Sequence, residues 1–222
     1  MQKRYLTEAE QRRLLQAAKA CSDELAQRDY HWIAALILTG MRIQEFSRVS
    51  ADQVRRALGC GWLVSRREDC KGQRKPNEYC VTQQLRLHLT ALLKISDVLA
   101  QEIGVFPAEQ PLVWGREVGG KRAALSVRSY EDRLKHWAAA AQLDPRVSPH
   151  WLRHTRGMNI MRRSRGENPL KVAQIALNHA SLQSTGVYLQ MSREEFEKEV
   201  QAVDGGRVSK RVARQMAQGA SA

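Results

Sequence analysis

The sequence predicts a mainly α-helical fold carrying one small antiparallel β-sheet, an α+β architecture. Three observations lead there. Apolar residues recur at helical spacing in most segments, and several of those segments open on capping signatures. A single stretch, residues 61–82, switches to two short β-prone runs around a basic turn. The chain has 222 residues, 43% of them hydrophobic and 27% charged, which is the composition of a globular domain long enough to bury a substantial core.

Taken in order, Thr7-x-x-Glu10 is a capping box that opens a helix running to about Ala20. A second helix spans about Asp23 to Thr39. Its run Ile33-Ala34-Ala35-Leu36-Ile37-Leu38 is apolar on nearly every side, which predicts deep burial, and Gly40 ends it. A short helix resumes through Arg42 to Val49. Ser50-x-x-Gln53 repeats the capping box before a short helix that stops at Gly59. Gly61–Ser65 and Glu78–Thr82 read as the strands of a hairpin, with Cys70-Lys71-Gly72-Gln73-Arg74-Lys75-Pro76-Asn77 as its positively charged tip. Helical patterns then cover Leu85–Ile103, Ser126–Gln142, Trp151–Arg165 and Pro169–Leu177, and Ser192-x-x-Glu195 caps a further helix to about Val203. There is no internal repeat. Gly205-Gly206 divides the sequence into a domain, 1–204, and a basic tail, 205–222. In the tail Val208, Val212 and Met216 recur every four residues beside Arg207, Lys210, Arg211 and Arg214, the pattern of an amphipathic basic helix.

Charge narrows the function. Lys and Arg number 36 against 23 Asp and Glu, a net charge of +13 with a pI of about 10.1. Such an excess points to a polyanionic partner, nucleic acid before an anionic membrane surface. The longest apolar run, Trp32 to Leu38, is far too short to span a bilayer. The N-terminus lacks the apolar core of a secretion signal. Cys21, Cys60, Cys70 and Cys80 form no Cys-x-x-Cys pair and lack zinc-ligand spacing, which fits a reducing cytoplasm. No metal or other cofactor is implied.

Three islands carry chemistry: Thr39-Gly40-Met41-Arg42-Ile43-Gln44-Glu45, then His150-Trp151-Leu152-Arg153-His154-Thr155, then Asn178-His179 with Tyr188 nine residues on. Attack on a phosphodiester builds negative charge on oxygens that are already anionic, so fixed donors are the main catalytic requirement. Arg42 and Arg153 each offer a planar fork that stays ionised. His150 and His179 titrate near neutrality and can donate to the phosphate or move a proton. Tyr188 carries a hydroxyl that could act as a nucleophile at neutral pH only in a cationic setting. Glu45, one helical turn beyond Arg42, is placed to hold that arginine. His154 is expected to support its helix rather than react.

In this order the three islands resemble the tyrosine recombinase (phage integrase) family, through its T-G-x-R-x-x-E, H-x-L-R-H and G-H-x-(eight)-Y boxes. The resemblance spans residues 7 to about 200. It implies a tyrosine recombinase catalytic-domain fold, double-stranded DNA as partner, a homo-oligomer (a tetramer) on DNA, and a location with the bacterial nucleoid. It also implies that Tyr188 is the nucleophile, with strand cleavage and rejoining through a covalent 3′-phosphotyrosine, as in site-specific recombination by mobile-element integrases. A hairpin-tip lysine then protonates the leaving 5′ oxygen. Lys71 matches best, because Cys70-Lys71-Gly72-Gln73 aligns with the family's G-K-G-N turn, and Lys75 is the reserve. The resemblance further suggests that the tail docks on a neighbouring protomer. Two positions depart from the pattern: Asn178 replaces the usual glycine, tolerable in a left-handed backbone, and Arg156 replaces an apolar residue and is expected to face DNA. About 41 residues precede Arg42, which leaves no room for the family's usual N-terminal DNA-clamping domain, as in a compact recombinase or a piece of a longer protein. A type IB topoisomerase shares this chemistry, and a non-catalytic DNA-binding regulator could retain the same residues as phosphate contacts.

Overall fold

The computed structural model describes residues 4–70, 76–104, 110–117, 119, 121–166 and 168–179. Lys71, Lys75, Tyr188, the helix expected at Ser192 and the basic tail lie outside the described residues. Among the described residues the order is α1 (Glu8–Lys19), α2 (Glu24–Thr39), α3 (Ile43–Phe46), α4 (Ala51–Cys60), β1 (Trp62–Val64), a single 3-10 turn (Arg67–Asp69), β2 (Glu78–Cys80), α5 (Gln83–Ile103), α6 (Val127–Ala140), α7 (Pro149–Arg163) and α8 (Pro169–Ala176). The architecture is mainly helical with one two-stranded antiparallel sheet, in which Leu63 stands opposite Tyr79.

Caps set most of the helix starts. Thr7 and Glu10 bond reciprocally at the start of α1, and Ser50 and Gln53 do the same for α4. Asp23, Thr82 and Ser126 cap α2, α5 and α6 through their side-chain oxygens. Several ends differ from the periodicity by one to three residues. α4 runs on to Cys60 because Gly61, in the left-handed region at φ 82°, is the residue that closes it. α7 begins at Pro149, whose ring suits the first helical turn, and α3 is one turn long with Arg42 just ahead of it.

α2 is the central element, packing on α1, α5 and α7. Its residues Trp32, Ile33, Leu36 and Ile37 sit in a core completed by Leu85, Leu89 and Leu92 of α5, Tyr130 and Leu134 of α6, and Leu152 of α7. One buried acid ties this core to α6. Asp29 Oδ1 accepts from Arg28 Nη2 at 2.7 Å and Trp32 Nε1 at 2.8 Å; Oδ2 accepts from Arg133 Nε at 2.5 Å and Trp137 Nε1 at 2.8 Å. A second polar pair bridges α2 and α5, where His31 Nδ1 and His88 Nδ1 share one hydrogen bond at 3.0 Å, one ring donating and the other accepting. No described helix is long and apolar enough to cross a membrane.

Candidate active site

The three boxes are far apart in sequence, and main-chain contacts draw their described parts together. At the end of α2, Thr39 Oγ1 donates to the Ala35 carbonyl and accepts the Met41 N–H at 3.2 Å. Gly40 between them takes φ 67°, a left-handed conformation that costs an L side chain about 1–2 kcal/mol. Met41 is then buried in the core. Arg42 follows in an extended conformation, its side chain 32% exposed.

Arg153, on α7, is 4% exposed. Its Nη1 donates to the Gly40 carbonyl and its Nη2 to the Leu177 carbonyl. One guanidinium therefore bonds the turn two residues before Arg42 and the helix end two residues before His179. Leu177 closes α8, and the His179 N–H returns to the Gln174 carbonyl at 3.0 Å. Asn178 does adopt a left-handed conformation, φ 49°, and its Nδ2 donates to the Glu78 carbonyl on β2 at 3.1 Å. The residue that departs from the glycine pattern thus also ties the third box to the hairpin.

His150 lies exposed at the start of α7, with His154 one turn later and their ring centroids 4.4 Å apart, edge to face. Partial desolvation of its ring, followed by the charge of Arg153, pushes His150 below its ordinary value although the residue keeps contact with solvent. His154 falls to about 4 through burial and its neighbours His150 and Arg153. His179 also falls to about 4 through burial, then Arg153 and Arg42. Arg42 and Arg153 therefore both act electrostatically on His150 and His179. At neutral pH these rings are neutral, each with one N–H donor and one basic nitrogen.

Glu45 Oε1 lies 3.1 Å from Arg42 Nη1. The same oxygen accepts from Asn77 Nδ2 at 3.0 Å, and Oε2 accepts from the Tyr79 hydroxyl at 2.6 Å. Asn77 and Tyr79 were not legible as site residues; the sequence signal is their spacing of two at the start of the second hairpin strand, Asn77 just before β2 and Tyr79 on it, which extended backbone puts on one face. A further residue missed in the sequence is Arg4, whose charge bears on both His150 and His154. The N-terminal segment reaches them because the Leu6 N–H donates to Thr155 Oγ1 at 2.9 Å. Arg156, expected to face DNA, is half-buried. Its side chain packs beside Gly40, and its Nε is buried without a hydrogen-bond partner among the described residues. Tyr79 and Tyr130 are both buried, and burial pushes both phenols far up, so neither can serve as a nucleophile toward a bulky phosphodiester.

Comparison with known proteins identifies relatives of this chain. Residues 4–195 match the profile of the phage integrase family. Among curated proteins, the chain is 28% identical over 169 residues to tyrosine recombinase XerC of Neisseria gonorrhoeae, covering 76% of this chain and 49% of that protein. It is 26% identical over 189 residues to tyrosine recombinase XerD of Pseudomonas putida, covering 85% and 57%. The chain thus spans about half the length of the curated relatives it matches. In fold it resembles XerA recombinase, with a TM-score of 0.66 at 22% identity over 91% of this chain and 65% of that one. It also resembles the Tn1549 transposon integrase in complex with circular intermediate DNA, with a TM-score of 0.67 at 14% identity over 91% and 68%. The match to the family profile covers most of the sequence, and the chain belongs to the phage integrase family.

Proposed function

We propose that this chain is the catalytic part of a site-specific DNA recombinase that cleaves and rejoins strands through a 3′-phosphotyrosine on Tyr188. The observation that carries the reading is the bonding of Arg153 to both Gly40 and Leu177, which brings the Arg42 and His179 segments to one guanidinium. XerH has been solved bound to its difH substrate, and the Tn1549 integrase with circular intermediate DNA. A net charge of +13 suits the same kind of ligand here.

In the proposed reaction Arg42 and Arg153 hold the non-bridging oxygens of the scissile phosphate, where negative charge accumulates. The Tyr188 hydroxyl oxygen attacks phosphorus, and its proton passes to a neutral imidazole, His150 or His179. The bond from phosphorus to the 5′ oxygen breaks, and Lys71, or Lys75 in its place, gives that oxygen its proton. The products are a phosphotyrosine ester and a free 5′ hydroxyl. Attack by a 5′ hydroxyl from the exchanged strand reverses each step, so the ester conserves the bond energy and no nucleotide cofactor is consumed. Exchange between two sites requires several protomers on DNA, and the 205–222 tail is the proposed docking element between them.

The test is covalent trapping on a nicked suicide duplex. Wild type should form a protein–DNA adduct, and Tyr188→Phe should bind the duplex but form none. No adduct with any duplex would leave a DNA-binding regulator. Adduct formation with relaxation of supercoils, but no exchanged flanks between paired sites, would instead indicate a topoisomerase.

A further inference from the structure

Arg42 stands ahead of a helix only one turn long and has no side-chain capping bond to fix it. A turn of that length has too few internal hydrogen bonds to hold a side chain in a defined direction. What holds Arg42 is Glu45, 2% exposed, and what holds Glu45 is Asn77, just before β2, and Tyr79, on it. Asn77 is itself pinned. Its N–H donates to Ser65 Oγ at 3.1 Å, and its carbonyl accepts the Ser65 N–H at 2.9 Å. Ser65 Oγ also lies 3.1 Å from the buried Cys70 thiol, which reaches the Arg66 carbonyl at 3.2 Å. Cys70 and Asn77, the residues that flank the lysine-bearing turn in the sequence, are therefore both bonded to Ser65. Tyr79 presents its hydroxyl from the same face of β2, and its proton stays on because burial and the neighbouring Glu45 push the phenol up.

We propose that Asn77 and Tyr79 are positioning residues that set the Arg42 guanidinium through Glu45, so that the hairpin carrying Lys71 and Lys75 and the first arginine are referenced to one carboxylate. The inference rests on Arg42 being a phosphate ligand. Removing the Tyr79 hydroxyl leaves Glu45 Oε2 without its 2.6 Å donor and lets the carboxylate turn, and Arg42 turns with it. Truncating Asn77 takes away the second donor on Oε1 and frees the hairpin base from α3.

The experiment measures single-turnover cleavage by Tyr79→Phe, Asn77→Ala and Arg42→Ala on two nicked duplexes. One carries an ordinary scissile phosphodiester. The other carries a methylphosphonate there, whose lost oxygen removes the negative charge that an arginine would neutralise. Tyr79→Phe keeps the ring and its packing, so it reports even if Asn77→Ala folds poorly. The expected result is a loss on the order of 10-fold for Tyr79→Phe on the diester, the loss of one hydrogen bond to a charged group, and little or none on the methylphosphonate. An equal loss on both duplexes would make Tyr79 merely structural, and no loss on either would overturn the proposal. If Arg42→Ala cleaves the diester like wild type, the phosphate-ligand reading itself fails, whatever Tyr79→Phe does.

Discussion

Replacing Gly40 by alanine tests whether the turn before Arg42 is built to be close-packed. The backbone there has φ 67°, and an added Cβ would lie 2.6 Å from Leu177 Cδ2 and 3.0 Å from Arg156 Cγ. Leu177 is fully buried, so it cannot swing aside. The left-handed backbone costs alanine about 1–2 kcal/mol, and forcing a methyl into filled space costs about 1–3 kcal/mol more. The two together predict a loss of about 2–5 kcal/mol. Gly61 provides the control, because at φ 82° it has nothing within 4 Å of the added Cβ, so Gly61→Ala should lose only the backbone part. Urea unfolding reads the difference directly, as a midpoint about 0.5–1.5 M lower for Gly40→Ala than for Gly61→Ala at an m-value of roughly 2 kcal/mol/M. Function should fall further than stability. The Gly40 carbonyl receives Arg153, so a displaced turn moves both arginines, and misplacement by an ångström costs on the order of 10²-fold in rate. Suicide-duplex cleavage at a temperature where both variants are folded gives that number. Equal urea midpoints for the two variants, or wild-type cleavage by Gly40→Ala, would refute the packing argument.

Asp29→Ala should destabilise the fold by about 3–5 kcal/mol, since it leaves Arg28 buried without its carboxylate; thermal unfolding should show a midpoint lower by roughly 10 °C. Acid should weaken the native state. His31 is held at about 4 by burial, then the charge of His88, then Lys19, so its unfolded form binds protons from about pH 6.5 downward while the folded form does not. Stability is therefore complete above pH 6.5 and is lost as pH falls toward 4, and a His31→Gln, His88→Gln pair should flatten that slope in denaturant titrations at successive pH values. Arg153→Lys should lose on the order of 10²-fold in cleavage, because one ammonium cannot reach both carbonyls and also fork a phosphate. DNA affinity should fall steeply between 50 and 200 mM salt, a range of roughly 10³–10⁵-fold if six to ten phosphates are contacted; a flat salt dependence would point away from nucleic acid.

Much of this protein was legible without coordinates. The helix starts are local events, each decided by a side-chain oxygen a few residues from the donors it satisfies, so Thr7, Asp23 and Ser50 mark them in the sequence. The depth of α2 follows from an apolar run that leaves no polar face. Arg42, Glu45, His150, Arg153 and His179 could be singled out because a phosphate ester needs fixed donors and because three spaced boxes carry them in order. Helix ends were less legible. Gly59 and Gly61 are equivalent as residue types, and only the backbone conformation shows that Gly61 closes α4.

What tertiary structure alone decided is how those residues are held. Arg153 bonds carbonyls of residues 113 and 24 positions away, and a backbone carbonyl has no residue type that a sequence could advertise. Glu45 draws on Asn77 and Tyr79, more than thirty residues away, which look like an ordinary turn residue and an ordinary strand residue until the hairpin folds over α3. Arg156 reads as a surface cation, and only the folded chain shows that its stem packs beside Gly40. Local patterns report what a few neighbouring residues need for backbone satisfaction or burial. The orientation of a charged side chain depends on partners that long-range packing supplies, and that information exists only once the chain has closed on itself.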